Sequence, residues 1–355
     1  MTRDNILLFT SEYPPDIGGV ANYYGNLVKY HDNGKIKVLT GKKLLKPHWF
    51  FSLWYLWRAV KKDKIKTVLV GQILPLGTVT WLLSRVLGIK FDYVVFLHGM
   101  DLTYALKMPR KKQLARKILT GAKKIIAANS YTAKLAWEIV DKNKVEVVNP
   151  GINSEFRNQK SEIQKLKNKY NLENKLVLLQ VGRLVKRKGV DKVLAALSQV
   201  WQEIPELVYV IIGNGPEIFD IKYSILNIEN KDKIILIDKA SDEETASFYD
   251  LCDIFIMPAR EIDGDFEGFG IVYLEANAHG KPVIAGDSGG VRDAVIDGVN
   301  GLLVNPESTD EIANAIIKLS KDEGLRKKLG EQGRERVKQF DWKNQADKVK
   351  KVYKS

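Results

Sequence analysis

Cysteine occurs once in the 355 residues, histidine four times, and no apolar run is long enough to cross a bilayer comfortably. A single thiol, Cys252, excludes an internal disulfide and fits a reducing compartment. It follows Leu251 ahead of an apolar run, which reads as a buried structural thiol rather than a nucleophile. No His/Cys/Asp spacing resembles a metal site, so no metal is expected. The nearest approach to a membrane span is Thr67 to Ser84, 18 uncharged residues between Lys66 and Arg85. Gly71, Gln72, Pro75 and Gly77 divide it into a strand, Thr67–Val70, and a helix at about Leu76–Leu87. The run Ile6 to Thr10 is too short for a signal-peptide core. The dinucleotide fingerprint Gly-x-Gly-x-x-Gly is missing, which argues against a dehydrogenase. Low-complexity tracts and short repeats are missing too.

What is present suits a two-domain globular protein: 45% hydrophobic and 28% charged residues, with length for two separate cores. The charge is lopsided. Residues 1–150 carry 25 Lys/Arg against 10 Asp/Glu, a net of +15, and the remainder carries 31 against 33, a net of −2. The first half is therefore expected to face something anionic. Two segments concentrate the effect. Lys42 to Lys66 holds eight basic residues and six aromatics, with Phe50, Leu53, Trp54 and Trp57 at helical spacing; Lys107 to Lys124 holds eight basic residues and no acidic one. Both read as contacts to an anionic membrane surface, with an ordinary packed helix and nucleic acid as the competing readings.

Short β-rich runs alternate with helical stretches twice over. The expected strands are Ile6–Ser11, Ile36–Thr40, Thr67–Val70, Tyr93–Leu97, Lys124–Ala128 and Val145–Val148, then Leu176–Val181, Val208–Ile212, Ile234–Ile237, Ile254–Met257, Pro282–Ala285 and Gly301–Val304. This pattern predicts two α/β doubly wound parallel sheets, Rossmann-like domains facing a central cleft. The expected division is 1–153 as an acceptor-binding domain, 154–340 as a donor-binding domain opened by a polar helix at Ser154–Tyr170, and 341–355 as a helix packing back on the first domain.

Ligands of such sheets bind beyond the carboxyl ends of strands, so motifs there carry most weight. Glu267-Gly268-Phe269-Gly270-Ile271-Val272-Tyr273-Leu274-Glu275 places two carboxylates eight positions apart around a helix start. Gly268 and Gly270 would leave room for a ligand, helix-opening amides suit an anion, and Glu275 is expected about two turns in. Gly182-Arg183 through Lys188-Gly189 puts a guanidinium and an ammonium on one strand-end loop, a pairing suited to a diphosphate or simply a solvated basic loop. Gly213-Asn214-Gly215-Pro216 permits close backbone approach to a nucleotide, or a plain turn, and Ile237 to Ser241 is placed to touch a base. Gly18 and Gly19 open a helix after the first strand. His98-Gly99-Met100-Asp101 ends another strand; His31, His48 and His279 have less claim to chemistry.

Together these residues resemble the retaining nucleotide-sugar glycosyltransferases of family 4, which have the GT-B fold. The matching pieces are Pro15-x-x-Gly18-Gly19, His98-Gly99-x-Asp101, Gly182-Arg183-Leu184 with Lys188-Gly189, Gly213-x-Gly215-Pro216 and the Glu-x7-Glu stretch continuing to Ala285. The resemblance implies that Arg183 and Lys188 hold the donor diphosphate, Glu267 the transferred sugar and Glu275 the ribose. It implies that amides from Gly268 to Val272 contact sugar and phosphate, that Gly18 and Gly19 close over the diphosphate, and that His98 bonds a sugar hydroxyl. It further implies no metal or other cofactor, and front-face attack in which the leaving phosphate takes the acceptor's proton. Two departures stand out: Val148-Asn149-Pro150-Gly151 alters a common Val-Pro-Asn-Gly loop, and His279 occupies a position where a small residue is common.

The expected function is hexose transfer from a nucleotide diphosphate sugar to a lipid-linked or glycan acceptor by a peripheral protein on the cytoplasmic membrane face. Alternatives are a soluble transferase or glucan synthase acting on a small molecule or polysaccharide, an epimerase on the same scaffold, and a noncatalytic nucleotide-sugar or lipid-binding protein.

Overall fold

The computed structural model describes residues 5–16, 18–31, 36–41, 51–153 and 160–355. Ile17, His48, Trp49, Phe50 and the start of the expected helix at Ser154 lie outside the described residues. The chain forms two compact units, Met1–Gly151 with Phe340–Ser355, and Ile152–Gln339.

Six parallel strands build the first unit: β1 (Ile6–Phe9), β2 (Ile36–Leu39), β3 (Thr67–Val70), β4 (Asp92–Leu97), β5 (Lys124–Ala127) and β6 (Val145–Val147), in the spatial order β2-β1-β3-β4-β5-β6. The runs are nearly continuous in Ile, Leu and Val because both faces are covered. Alternation sorts the side chains: Leu7, Phe9, Val68, Val70, Val95 and Leu97 enter one core, and Ile6, Leu8, Leu69, Val94 and Phe96 the other. The second of these cores is completed by the C-terminal helix Trp342–Lys354, which contributes Trp342, Ala346, Val349 and Tyr353 at helical spacing. A Cβ on Gly151 would come within 2.5 Å of the Trp342 ring. Burial of each large apolar side chain is worth about 1.5–3 kcal/mol, so this terminal helix is a substantial part of the first unit's stability.

The second unit repeats the plan with β7 (Leu176–Val181), β8 (Leu207–Ile212), β9 (Ile234–Ile237), β10 (Ile254–Met257), β11 (Val283–Gly286) and β12 (Gly301–Val304), all parallel, in the order β12-β11-β10-β7-β8-β9. All twelve strands lie within two residues of the runs expected from sequence. In the first sheet the order reverses between β1 and β3, in the second between β7 and β10. At such a switch point the loops leaving two adjacent strands diverge to opposite faces and open a crevice.

The uncharged stretch from Thr67 resolves as β3 followed by a helical turn Thr78–Trp81 between two wider turns, Ile73–Gly77 and Leu82–Val86. Among the described residues no helix is long and apolar enough to cross a membrane. Cys252 is buried, its Sγ 3.4 Å from the Tyr249 carbonyl, and burial pushes the thiol up to about 12. This agrees with a structural rather than a nucleophilic cysteine.

Candidate active site

In the second unit the loops after β7 and β10 leave the switch point together. The β7 loop tightens into a turn at Lys186–Lys188 before the helix Val190–Glu203. That turn is held from below: Gln180 Nε2 donates to the Lys188 carbonyl at 2.9 Å, and Tyr209 Oη donates to Gln180 Oε1. The β10 loop is tied to it by Arg260, whose amide donates to the Arg187 carbonyl at 2.8 Å. The buried Arg260 guanidinium grips Asp191 on the following helix with bonds of 2.7 and 3.1 Å.

This framework delivers three charges to one point. Glu267 Oε2 lies 2.7 Å from Lys188 Nζ and 2.7 Å from Arg187 Nη1, and Arg187 Nε lies 3.0 Å from Asp265 Oδ1. Burial pushes the Glu267 carboxyl up, but Lys188 and then Arg187 outweigh it and hold the group below the usual carboxylate range. Burial likewise pulls Arg187 down, while Glu267 and Asp265 more than offset it. Removing one partner from such a buried cluster costs about 3–5 kcal/mol, because the remaining charge is left uncompensated. Arg187 and Asp265 are the members that the sequence reading passed over. Arg183 lies on the same loop and is exposed.

The helix Ile271–Ala278 begins immediately after Glu267-Gly268-Phe269-Gly270. The amide of Tyr273 is already bonded to the Gly270 carbonyl at 3.0 Å, which leaves the amides of Ile271 and Val272 as the helix's opening donors. Glu275 is its fifth residue, so it sits little more than one turn in, not two: Gly268 bends and Gly270 is left-handed, so the helix starts only at Ile271. Its Oε2 accepts a 2.9 Å bond from Tyr249 Oη, and burial holds its carboxyl above the usual range despite that bond.

The glycines do different work from that expected. Gly270 has φ +77°, and a Cβ there would fall 2.3 Å from the Tyr273 ring, so its empty side is filled by protein rather than kept for a ligand. A Cβ on Gly213 would lie 1.9 Å from the Gly182 carbonyl, and one on Gly215 2.2 Å from that of Leu184. These glycines let the β7 and β8 loops pack backbone to backbone. Nothing lies within 4 Å of a Cβ built on Gly18 or Gly19, at the start of the first unit's helix Gly19–Tyr30. Ser241 caps the helix Asp242–Leu251, accepting from the Glu244 amide at 3.0 Å.

The strand ends of the first unit gather histidine, tyrosine and glutamine with the carboxyl groups of Glu12 and Asp101 instead. His98 follows β4, and its Nε2 lies 2.8 Å from Tyr24 Oη, which also lies 2.8 Å from the Gly71 carbonyl. A carbonyl only accepts, so the phenol proton goes to Gly71 and His98 carries its proton on Nε2. Burial lowers the His98 imidazole to about 4, which leaves Nδ1 as an acceptor at neutral pH. Asp101 Oδ1 accepts from the amides of His98 and Gly99, each at 3.0 Å, and fixes the loop. Burial raises Asp101 to about 6 in spite of those bonds. Beside them Gln72, just past β3, receives Ser11 Oγ at 2.6 Å and donates to Glu12 Oε1 at 3.0 Å. Tyr24, Gln72 and Glu12 had no sequence signal beyond their position after or beside a strand.

The other two described histidines, His31 and His279, are structural. His31 is buried with Nε2 2.7 Å from Tyr353 Oη. His279 is buried, with Nδ1 2.6 Å from Asp250 Oδ1, and stacks on Tyr249. Among the described residues no group of three or more His, Cys, Asp or Glu side chains is placed to hold a metal ion.

The model of the family described as glycosyl transferases group 1 matches residues 162–336, the segment that carries this charged cluster. An uncharacterised glycosyltransferase of Methanocaldococcus jannaschii is 30% identical, over 98% of this chain and 97% of its own. The chain belongs to the group 1 glycosyltransferases. A GDP-mannose-dependent α-(1-6)-phosphatidylinositol monomannoside mannosyltransferase of Mycobacterium tuberculosis is 26% identical over 97% of this glycosyltransferase and 96% of that protein. The fold is that of Anabaena HepE, solved with UDP, with a TM-score of 0.83 at 18% identity over 99% of both chains. This glycosyltransferase thus has the GT-B fold, two parallel six-stranded α/β units.

Proposed function

We propose that the protein is a retaining hexosyltransferase that moves a sugar from a nucleotide diphosphate donor to a lipid-linked or glycan acceptor, without a metal, at the cytoplasmic face of a membrane. The observation that carries the donor side is the convergence of Lys188 and Arg187 on Glu267 beside the opening amides of the helix Ile271–Ala278. A diphosphate needs fixed cations and amide donors, which Arg183, Lys188 and that helix start supply. A sugar hydroxyl needs an ionised acceptor, which Glu267 supplies. Glu275 would take the ribose, and Gly18, Gly19, Gly182, Gly213 and Gly215 would shape the approach to the phosphates. His98, neutral and accepting through Nδ1, would hold a hydroxyl of the transferred sugar. In this reading the leaving diphosphate serves as base for the acceptor, so no protein carboxylate acts as hydrolase-type acid or base.

The acceptor side rests on the first unit's surface and on the mycobacterial relative, whose name places its acceptor in a lipid. The helix Phe51–Asp63 buries Ser52, Leu56 and Val60, and leaves Phe51, Trp54 and Trp57 48%, 49% and 43% exposed beside exposed Arg58, Lys61 and Lys62. The expected stripe is thereby corrected: Leu53 turns toward the core while the tryptophans stay outside. Tyr104, under Lys111 Nζ at 3.7 Å, is exposed with Met100 and Met108, just before and at the start of the second basic segment. Indole rings flanked by cations suit a headgroup boundary.

Incubation with GDP-mannose or UDP-glucose in chelator should release nucleotide, and the freed sugar should keep the donor's α configuration by NMR. A β product would exclude retention, and a folded protein inert toward every nucleotide sugar tried would exclude the donor reading. Sedimentation with anionic vesicles at low salt tests the membrane face; absence of binding favours a soluble transferase acting on a small acceptor.

A further inference from the structure

Glu267 Oε2 is shared by two cations, and they are not held alike. Lys188 presents a point charge on a flexible stem, with Nζ 2.7 Å from the carboxylate and 3.8 Å from where a Cβ on Gly182 would stand, at the mouth of the β7 loop. Arg187 is held from three sides: Nη1 bonded to Glu267 at 2.7 Å, Nε in ionic contact with Asp265 at 3.0 Å without a hydrogen bond, and its carbonyl accepting from the Arg260 amide at 2.8 Å.

Resting on the donor-site reading above, we propose that Arg187 is a positioning residue that, braced by Asp265, holds the Glu267 carboxylate in place when Lys188 turns to the donor's diphosphate. A cation already bonded to a carboxylate has to divide itself when an anion arrives. If Lys188 were the sole partner, its departure would leave a buried, uncompensated carboxylate, which would take up a proton or swing away. Arg187 removes that conflict. Its rigid fork keeps Glu267 ionised and its carboxylate in place for a sugar hydroxyl. In the run Lys186-Arg187-Lys188, the tight turn brings the second and third cations to one carboxylate oxygen, while Lys186 is exposed. The charged and titratable groups facing Glu267 are Lys188 and Arg187 from the β7 loop, Asp265 on its own loop through Arg187, and the Tyr273 phenol from the helix Ile271–Ala278.

The test is a carboxyl-¹³C titration of glutamate-labelled protein, with the Glu267 signal identified by its loss in Glu267→Gln. Arg187→Met should raise the Glu267 midpoint by about one pH unit, and by more with saturating UDP or GDP, which draws Lys188 away. Arg187→Lys should recover most of the shift. The affinity for UDP or GDP should stay within threefold in Arg187→Met, while kcat for hydrolysis of GDP-mannose or UDP-glucose falls at least tenfold with KM little changed. An unmoved midpoint overturns the proposal, and so does a loss of nucleotide affinity equal to the loss of turnover, which would make Arg187 a phosphate ligand. Should Arg187→Met fail to fold, Asp265→Asn replaces a half-exposed carboxylate and should raise the same midpoint by a smaller step; no change there overturns the proposal equally. Full turnover in Glu267→Gln would sink the donor-site reading itself. Lost turnover in that variant with an unmoved midpoint in Arg187→Met would sink this inference alone.

Discussion

The two units share one architecture and place a switch point at the same kind of strand junction, yet the same cost of burying charge has opposite outcomes at the two. In the second unit Lys188 and Arg187 overcome the cost of burying Glu267 and keep it ionised. In the first, burial prevails: His98 is driven down to about 4 and Asp101 up to about 6, so both are displaced toward their neutral forms. One fold therefore offers a cation-rich site suited to a diphosphate sugar and a second site, of neutral imidazole, phenol, amide and carboxyl groups without a cation pair, suited to hydroxyls. The difference lies in the loops. A cation-rich turn follows β7, whereas tyrosine, glutamine and backbone amides surround the end of β4.

The largest expected effect breaks the charged side. Glu267→Gln keeps the shape but leaves Lys188 and Arg187 without their anion, and donor turnover should fall about 10²–10³-fold, the range for losing one preorganised electrostatic contact. Next comes Tyr24→Phe, which removes the partner of the Gly71 carbonyl and of His98 Nε2. It should cost about 1–3 kcal/mol in urea unfolding, with nucleotide affinity unaffected.

The smallest effect is a pair of opposed pH slopes. His98 has a folded value below its unfolded one, so its contribution is complete above about pH 6.5 and is lost as pH falls toward 4. Asp101 is raised, so its contribution is complete below about pH 3.8 and is lost as pH rises through 6. The two nearly cancel in the wild type. Stability between pH 4 and 6 should fall with rising pH in His98→Gln and rise in Asp101→Asn. Parallel slopes in the two variants would show that burial does not act on this pair as described.

Much of the fold was legible because strands buried on both faces write themselves as short Ile/Leu/Val runs. Some helices were not, and two of them show why. Glu323–Val337 packs through Gly330 and Gly333, where a Cβ would strike the Gly280 carbonyl and Asn277, so it shows no apolar period. Ile218–Leu226 is apolar on its exposed face too, with Phe219, Tyr223 and Leu226 outward, which blurs the amphipathic signal. At the site, Lys188, Glu267 and His98 stood out by their place at strand ends. Arg187 did not, since three consecutive cations give no hint of which ones the turn directs inward. Asp265 and Tyr24 acquire meaning only through long-range contacts, to Arg187 and to Gly71 and His98.

Calorimetric titration of UDP and GDP into three proteins tests the contrast most directly. If the charged loop of the second unit holds the diphosphate, Lys188→Ala should weaken whichever nucleotide binds the wild type by at least tenfold, and His98→Gln should leave it within twofold. Equal weakening by both variants, or wild-type affinity in Lys188→Ala, would contradict the account.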